Sequence, residues 1–189
     1  TERRMLVFSS TNELEAGLDF IRQSPKDSGR VELIVCRPAV GKREELNQAM
    51  LDVDRGLDGD NWLARGDRHT ADRRAHPDMQ LNLMNARAIA LVAQTRERWK
   101  LAGDQFYIDL DLSSDNLPIG SFLAIGEAVI EVTAEPHLGC SKFSRRYGRE
   151  ATKFVNSKIG KMLNLRGINA KVISSGKVDL GASIRKIDG

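Results

Sequence analysis

Hydrophobic positions along the chain switch between two periods, and the switches outline an order of elements. At 11–23 the residues Leu14, Leu18 and Ile21 recur at helical spacing, Thr11 or Asn12 can cap the start, and Pro25 and Gly29 follow the end. The run Val31-Glu32-Leu33-Ile34-Val35-Cys36 is apolar, rich in β-branched residues and closed by Pro38, which predicts a buried strand with Cys36 in the core. A short helix is expected over 43–54, followed by turn residues at 54–61. The stretch 61–78 lacks apolar periodicity and carries His69 and His76 among arginines and aspartates, so it is expected to be a long ordered loop.

Alternation returns at Met79-Gln80-Leu81-Asn82-Leu83-Met84, which predicts a strand with Gln80 and Asn82 on one face. Asn85 then caps a helix through about Ala102, with Ala88, Leu91, Val92 and Trp99 on its apolar side and Gly103 as its stop. Ile108, Leu110 and Leu112, then 122–126 and 128–133, read as short strands at barrel-like spacing. A helix is expected over 149–165 through Phe154, Ile159 and Leu163, although Gly160 weakens it. Residues 169–173 and 182–187 flank Gly176 as a hairpin-like pair. No repeat or low-complexity tract interrupts this order. The reading is therefore an N-terminal helical extension over 1–29 and one mainly β domain over 30–189.

Composition narrows the function classes. The 189 residues hold only two cysteines, Cys36 and Cys140, with neither a CxxC pair nor zinc-like Cys/His spacing. That economy and the absence of any membrane-length apolar run point to a soluble cytoplasmic protein. Net charge is +3, yet 1–139 carry 17 Lys/Arg against 23 Asp/Glu while 140–189 carry 12 against 3. The positive end starts at Cys140 and would attract a phosphate, an oxyanion or a nucleic-acid backbone. Aromatic residues make up only 5% of the chain, so stacking platforms for nucleic acid are not evident. There is no GxGxxG, P-loop, HExxH or GxSxG motif.

Cys140 stands between the last alternating strand and this basic tail, in Glu135-Pro136-His137-Leu138-Gly139-Cys140-Ser141-Lys142-Phe143. Gly139 permits close approach, and Lys142, Arg145 and Arg146 would favour a thiolate. A packed cysteine is the alternative. His137, three residues earlier, offers a Cys-His dyad. His69 and His76 with Asp67, Asp72 or Asp78 offer a metal site or a solvated loop.

Taken in order, Gly56-Leu57-Asp58-Gly59-Asp60, Gln80-Leu81-Asn82-Leu83-Met84, Asp115-Asn116-Leu117, Leu123-Ala124-Ile125-Gly126, Glu131-Val132-Thr133, Gly139-Cys140-Ser141-Lys142 and the stretch 167–181 form a recognisable set. Over roughly 30–187 the chain resembles the MOSC domain family, named for the C-terminal domain of molybdenum cofactor sulfurase, in its stand-alone bacterial form. The resemblance implies a mixed-strand β barrel of the pyruvate kinase barrel-like type with peripheral helices. It implies a cleft in which Cys140 ligates molybdenum of a pterin cofactor (molybdopterin) or carries a persulfide. His137 and Asn116 would line that cleft, and Lys142, Arg145 and Arg146 would neutralise phosphate or oxo groups. Reduction of N-hydroxylated compounds, such as hydroxylaminopurine detoxification, is the activity it implies first, and sulfur carriage second. A cysteine desulfurase or a redox protein is the implied partner, with a homodimer as the implied assembly. The family's association with pyridoxal phosphate belongs to a desulfurase domain for which 189 residues leave no room. Two departures mark this chain: His137-Leu138-Gly139 replaces the Arg and Pro found before the cysteine in some members, and Gly181-Ala182 replaces a terminal Gly-Asp.

Overall fold

The computed structural model describes residues 7–189. Its centre is a closed barrel. The strands are β1 (Ser28–Cys36), β2 (Glu44–Leu46), β3 (Gln48–Asp52), β4 (Gly56–Leu57), β5 (Leu81–Asn85), β6 (Phe106–Asp109), β7 (Phe122–Ile125), β8 (Ala128–Val132), β9 (Ile168–Ser174), β10 (Gly176–Asp179) and β11 (Ser183–Ile187). Seven of them close the ring in the order β11-β7-β8-β9-β5-β6-β1, with β1 returning to β11 and β2 appended to β1. Every pairing is antiparallel except β5 with β6, which is parallel. A parallel pair needs a crossover rather than a tight turn. Here it is the helix α4 (Ala86–Ala93) and a 3-10 turn over Arg96–Ala102.

Period-two alternation fills the barrel. Ala128, Ile130 and Val132 of β8 point inward with Leu123, Ile125, Ala170, Val172 and Ile184, and the partly solvated residues between them face out. Strands β1, β5 and β6 bury residues on both faces. Their second face, Leu33, Val35, Met84 and Tyr107, joins an outer cluster with Ala88, Ile89, Val92, Phe143, Tyr147 and Val155. The helices α1 (Thr11–Ala16) and α2 (Leu18–Arg22) add Leu14 and Ile21 to that cluster. The remaining helices are α3 (Trp62–Arg65), α5 (Ser141–Tyr147), α6 (Arg149–Asn156) and α7 (Lys158–Met162).

Several local expectations change. The helix expected over 43–54 is instead β2 and β3, because Ala49 and Leu51 alternate inward and β3 pairs antiparallel with β10. The expected pair 169–173 and 182–187 is not a hairpin: β9 lies between β8 and β5, and β11 lies between β7 and β1. The N-terminal helix divides at Gly17, and Ser10 rather than Thr11 or Asn12 forms the capping box with Glu13. The helix begun by Asn85, whose side chain accepts from the Ala88 amide, turns sharply at Gln94, which adopts a positive φ of 65°. The helix expected over 149–165 divides at Ser157, whose hydroxyl accepts from Gly160 N and caps α7. Residues 61–78 contain α3 and then turns.

Candidate functional site

Cys140 occupies the N-cap of α5 with an exposed side chain, whereas Cys36 is buried at the end of β1. Partial burial raises the Cys140 pKa, but the amides of Phe143 and Lys142 and the charges of Arg166 and Lys142 outweigh it, so its net shift is downward. A thiolate is thus favoured at the surface. For Cys36, burial comes first and nearby Asp60 and Glu44 add to it, so that thiol stays protonated.

The loop entering Cys140 is tied down along its length. Asn169 Nδ2 donates to Glu135 O at 3.0 Å, His76 Nε2 lies 3.5 Å from Glu135 Oε1, and Asn156 grips both the backbone amide and the backbone carbonyl of Gly139. Gly139 is needed where that grip closes, since a Cβ there would meet Val155 Cγ2 at 3.0 Å and Asn156 Oδ1 at 3.3 Å.

His137 belongs to this scaffold. Its Nε2 lies 2.8 Å from Asp104 Oδ1, and Arg166 Nη1 lies 2.6 Å from Asp104 Oδ2, with the Asp104 side chain fully buried. Burial alone would raise Asp104, but Arg166 and His137 bring it down to about 2. Burial and the Arg166 charge push His137 below its ordinary value despite Asp104. The imidazole is therefore neutral and its Nε2–H donates to the carboxylate. Among the described residues no hydrogen bond joins His137 to Cys140; the dyad allowed by spacing is replaced by a His-Asp-Arg cluster under the loop.

Lys142, Arg145 and Arg146 do come together. They line a cavity of about 330 Å³ with Arg37, Arg43 and Arg65, and among the described residues no carboxylate stands in its wall. Arg37 is the innermost: its Nη2 lies 2.8 Å from Asp60 Oδ2, and its Nη1 donates to Asn82 Oδ1 at 2.9 Å and Gly103 O at 3.1 Å. Arg43 Nε and Asn61 Oδ1 on this wall are buried without hydrogen-bond partners among the described residues. Burial first, and then Arg146 and Arg37, lower the pKa of Arg43. Sequence reasoning missed Arg37, Arg43, Asn61 and Arg65. The readable signal was Arg37, a cation closing an apolar strand; the others lie in loops without a motif.

Asn116 is placed elsewhere. It lines a separate concavity with Asp111 and Asp115, donates to Lys26 O and Asp111 O, and accepts from Lys186 Nζ at 3.1 Å. The structure does not bring it to Cys140. Nor do His69 and His76 form a metal cluster: among the described residues no three His, Cys, Asp or Glu side chains are grouped to hold an ion. Among the described residues no helix is long and apolar enough to cross a membrane.

Solved structures with the same architecture exist at low sequence identity. A hypothetical protein aligns over 90% of this chain and 72% of its own, with 20% identity and a TM-score of 0.59. YuaD from Bacillus subtilis aligns over 83% and 94%, with 18% identity and a TM-score of 0.56. YiiM from Escherichia coli aligns over 85% and 70%, with 22% identity and a TM-score of 0.51. The chain has the MOSC-type fold. Neither a scan against protein-family models nor a search of curated proteins finds a match. Within the MOSC fold, Cys140 and the arginine-rich cavity are brought to one region by Lys142, which follows the cysteine by two residues and lines the cavity wall.

Proposed function

We propose that this MOSC-fold protein handles a molybdenum cofactor through Cys140, in reduction of N-hydroxylated compounds. The observation that carries this reading is an exposed thiol of lowered pKa, two residues from a side chain lining a cation-walled cavity without carboxylates. The donor set fits such a group: a thiolate is a soft ligand, and the cavity offers guanidinium and ammonium donors for its phosphate. Arg43 Nε and Asn61 Oδ1, lacking protein partners, fit a polar guest there.

When bound, the cofactor supplies the two-electron redox chemistry. Cys140 would ligate its metal, while Lys142, Arg145 and Arg146, joined by Arg37, Arg43 and Arg65, would hold the anionic end. Asn156 and the Asp104–His137–Arg166 cluster fix the loop that presents the sulfur. Electrons would come from a separate redox protein.

Reconstitution with the cofactor tests the reading: native protein retains molybdenum after gel filtration, and Cys140→Ala retains little. Equal metal in the two proteins overturns it. A second reading, persulfide carriage from a cysteine desulfurase, draws on the same exposure and lowered pKa of Cys140, because the thiolate is the form that attacks sulfane sulfur. Intact-mass measurement after incubation with desulfurase and cysteine would show one added sulfur on native protein and none on Cys140→Ala.

A further inference from the structure

Three arginines from distant parts of the chain converge on Gly103. Arg37 Nη1 donates to its carbonyl at 3.1 Å, and a Cβ on this residue would lie 3.2 Å from Arg43 Nη2 and 3.9 Å from Arg146 Nη1. The carbonyls just before it are engaged the same way: Leu101 O accepts from Arg146 Nη1, and Ala102 O accepts from Arg166 Nη2 at 2.9 Å. The free carbonyls at the end of the 3-10 turn thus hold guanidinium groups close to one another. Gly103 serves twice, since it ends the turn at φ 91° and leaves room for the side chains.

Like charges this close repel unless an anion lies among them. The buried carboxylates beside them are already committed, Asp60 to Arg37 through both oxygens and Asp104 to His137 and Arg166. That leaves Arg43, Arg65, Lys142, Arg145 and Arg146 around the cavity with no acid in its wall. A phosphate monoester carries about −2. It would leave most of this charge uncompensated, whereas a diphosphate adds further charge and further acceptor oxygens, enough to engage both the 37–65 side and the 142–146 side.

The cavity does not end there. Arg65 and Lys142 also line a second concavity of about 550 Å³, whose wall includes Trp62, Met79, His69 and His76. A cationic end joined to a larger, partly apolar space is the shape of a ligand with a charged head and an organic body.

We propose that this cleft binds an organic diphosphate, with the diphosphate among Arg43, Arg65, Arg145 and Arg146 and the organic body passing over Arg65 and Lys142 toward Trp62 and Met79. The inference rests on the reading that the cleft beside Cys140 receives an anionic cofactor, and it assigns that guest a diphosphate rather than a monophosphate.

Titration calorimetry at fixed ionic strength tests it with five probes: inorganic phosphate, pyrophosphate, AMP, ADP and a single-stranded RNA. Pyrophosphate is expected to bind about tenfold or more tighter than phosphate, as two added charge-assisted hydrogen bonds would give. ADP is expected to bind more tightly than either pyrophosphate or AMP. Arg145→Ala, at an exposed position that should fold normally, should lose most of the pyrophosphate preference, and Arg149→Ala on α6, outside the cavity wall, should keep it. Cys140→Ala should retain it too, so loss of molybdenum with intact pyrophosphate binding separates this site from the thiol. Phosphate and pyrophosphate of equal affinity overturn the proposal. Pyrophosphate binding as well as ADP overturns the organic extension, and tight single-stranded RNA binding without pyrophosphate preference replaces the ligand by a nucleic-acid backbone.

Discussion

Asn156 clasps Gly139: its Oδ1 accepts from the Gly139 amide at 2.8 Å, and its Nδ2 donates to the Gly139 carbonyl at 2.9 Å. One side chain at the end of α6 thereby holds the two successive peptide groups that flank Gly139, the second of which leads into Cys140. The two bonds hold the peptide groups on either side of the Gly139 Cα, which restricts both backbone torsions there, so the clasp sets where the sulfur stands relative to the first amides of α5. Asn156→Ala should therefore raise the Cys140 pKa, seen as an upward shift in the pH profile of iodoacetamide alkylation. The same variant should lose about 1–3 kcal/mol in urea denaturation. Asn156→Asp, which keeps the acceptor but not the donor, should lie between. An alkylation profile unchanged in both variants would mean that the clasp does not position the thiol.

Alkylation should also separate the two cysteines. At neutral pH a single equivalent of reagent should label Cys140 and leave Cys36 intact, since one is exposed with a lowered pKa and the other is buried with a raised one. Lys142→Gln should move the Cys140 profile to higher pH, because it removes a cation that favours the thiolate. Peptide mass mapping checks both statements.

The cluster beneath the loop predicts acid sensitivity. Asp104 falls from 3.8 to about 2 on folding, so its contribution is complete above pH 3.8 and is lost as pH drops toward 2. His137 is lowered from 6.5, so the unfolded chain binds its proton more readily and stability begins to decline as pH falls below 6.5. Both slopes have the same sign. Denaturation midpoints should therefore fall as pH decreases, and Asp104→Asn should flatten the lower part of the curve. That variant also strands the buried Arg166 charge, at a cost of about 3–5 kcal/mol at neutral pH. A denaturation midpoint unchanged at neutral pH would contradict the role assigned to the cluster.

Arg37 and Asp60 form the second buried ion pair, with side chains 7% and 1% exposed. Arg37→Met should cost about 3–5 kcal/mol because Asp60 is left charged and desolvated, and the double variant Arg37→Met with Asp60→Leu should recover part of the loss. Urea denaturation of both, with unchanged slope, measures the difference. A double variant no more stable than the single one would show that Asp60 is held by groups other than Arg37.

What could be read along the chain was local. Alternation in Ala128–Val132 and Phe122–Ile125, the Asn85 cap, the Gly103 stop and the apolar run ending in Cys36 depend on neighbours a few residues away, so the β-rich domain and its core followed from short-range periodicity. Cys140 also stood out, through its place at the charge change and within the family-like order of motifs. Long-range pairing decided the rest. Residues 48–52 are a strand because 176–179 lie beside them, and no pattern within 43–54 carries that partner. His137 faces Asp104 and Arg166 rather than Cys140 for the same reason, since spacing of three permits a contact but burial of the carboxylate selects another. The sequence by itself determined most kinds of element, the barrel class and Cys140 as the candidate thiol. Only the tertiary structure brought Arg37, Arg43 and Arg146 together around Gly103, because the positions of charges far apart along the chain are set by how the barrel closes.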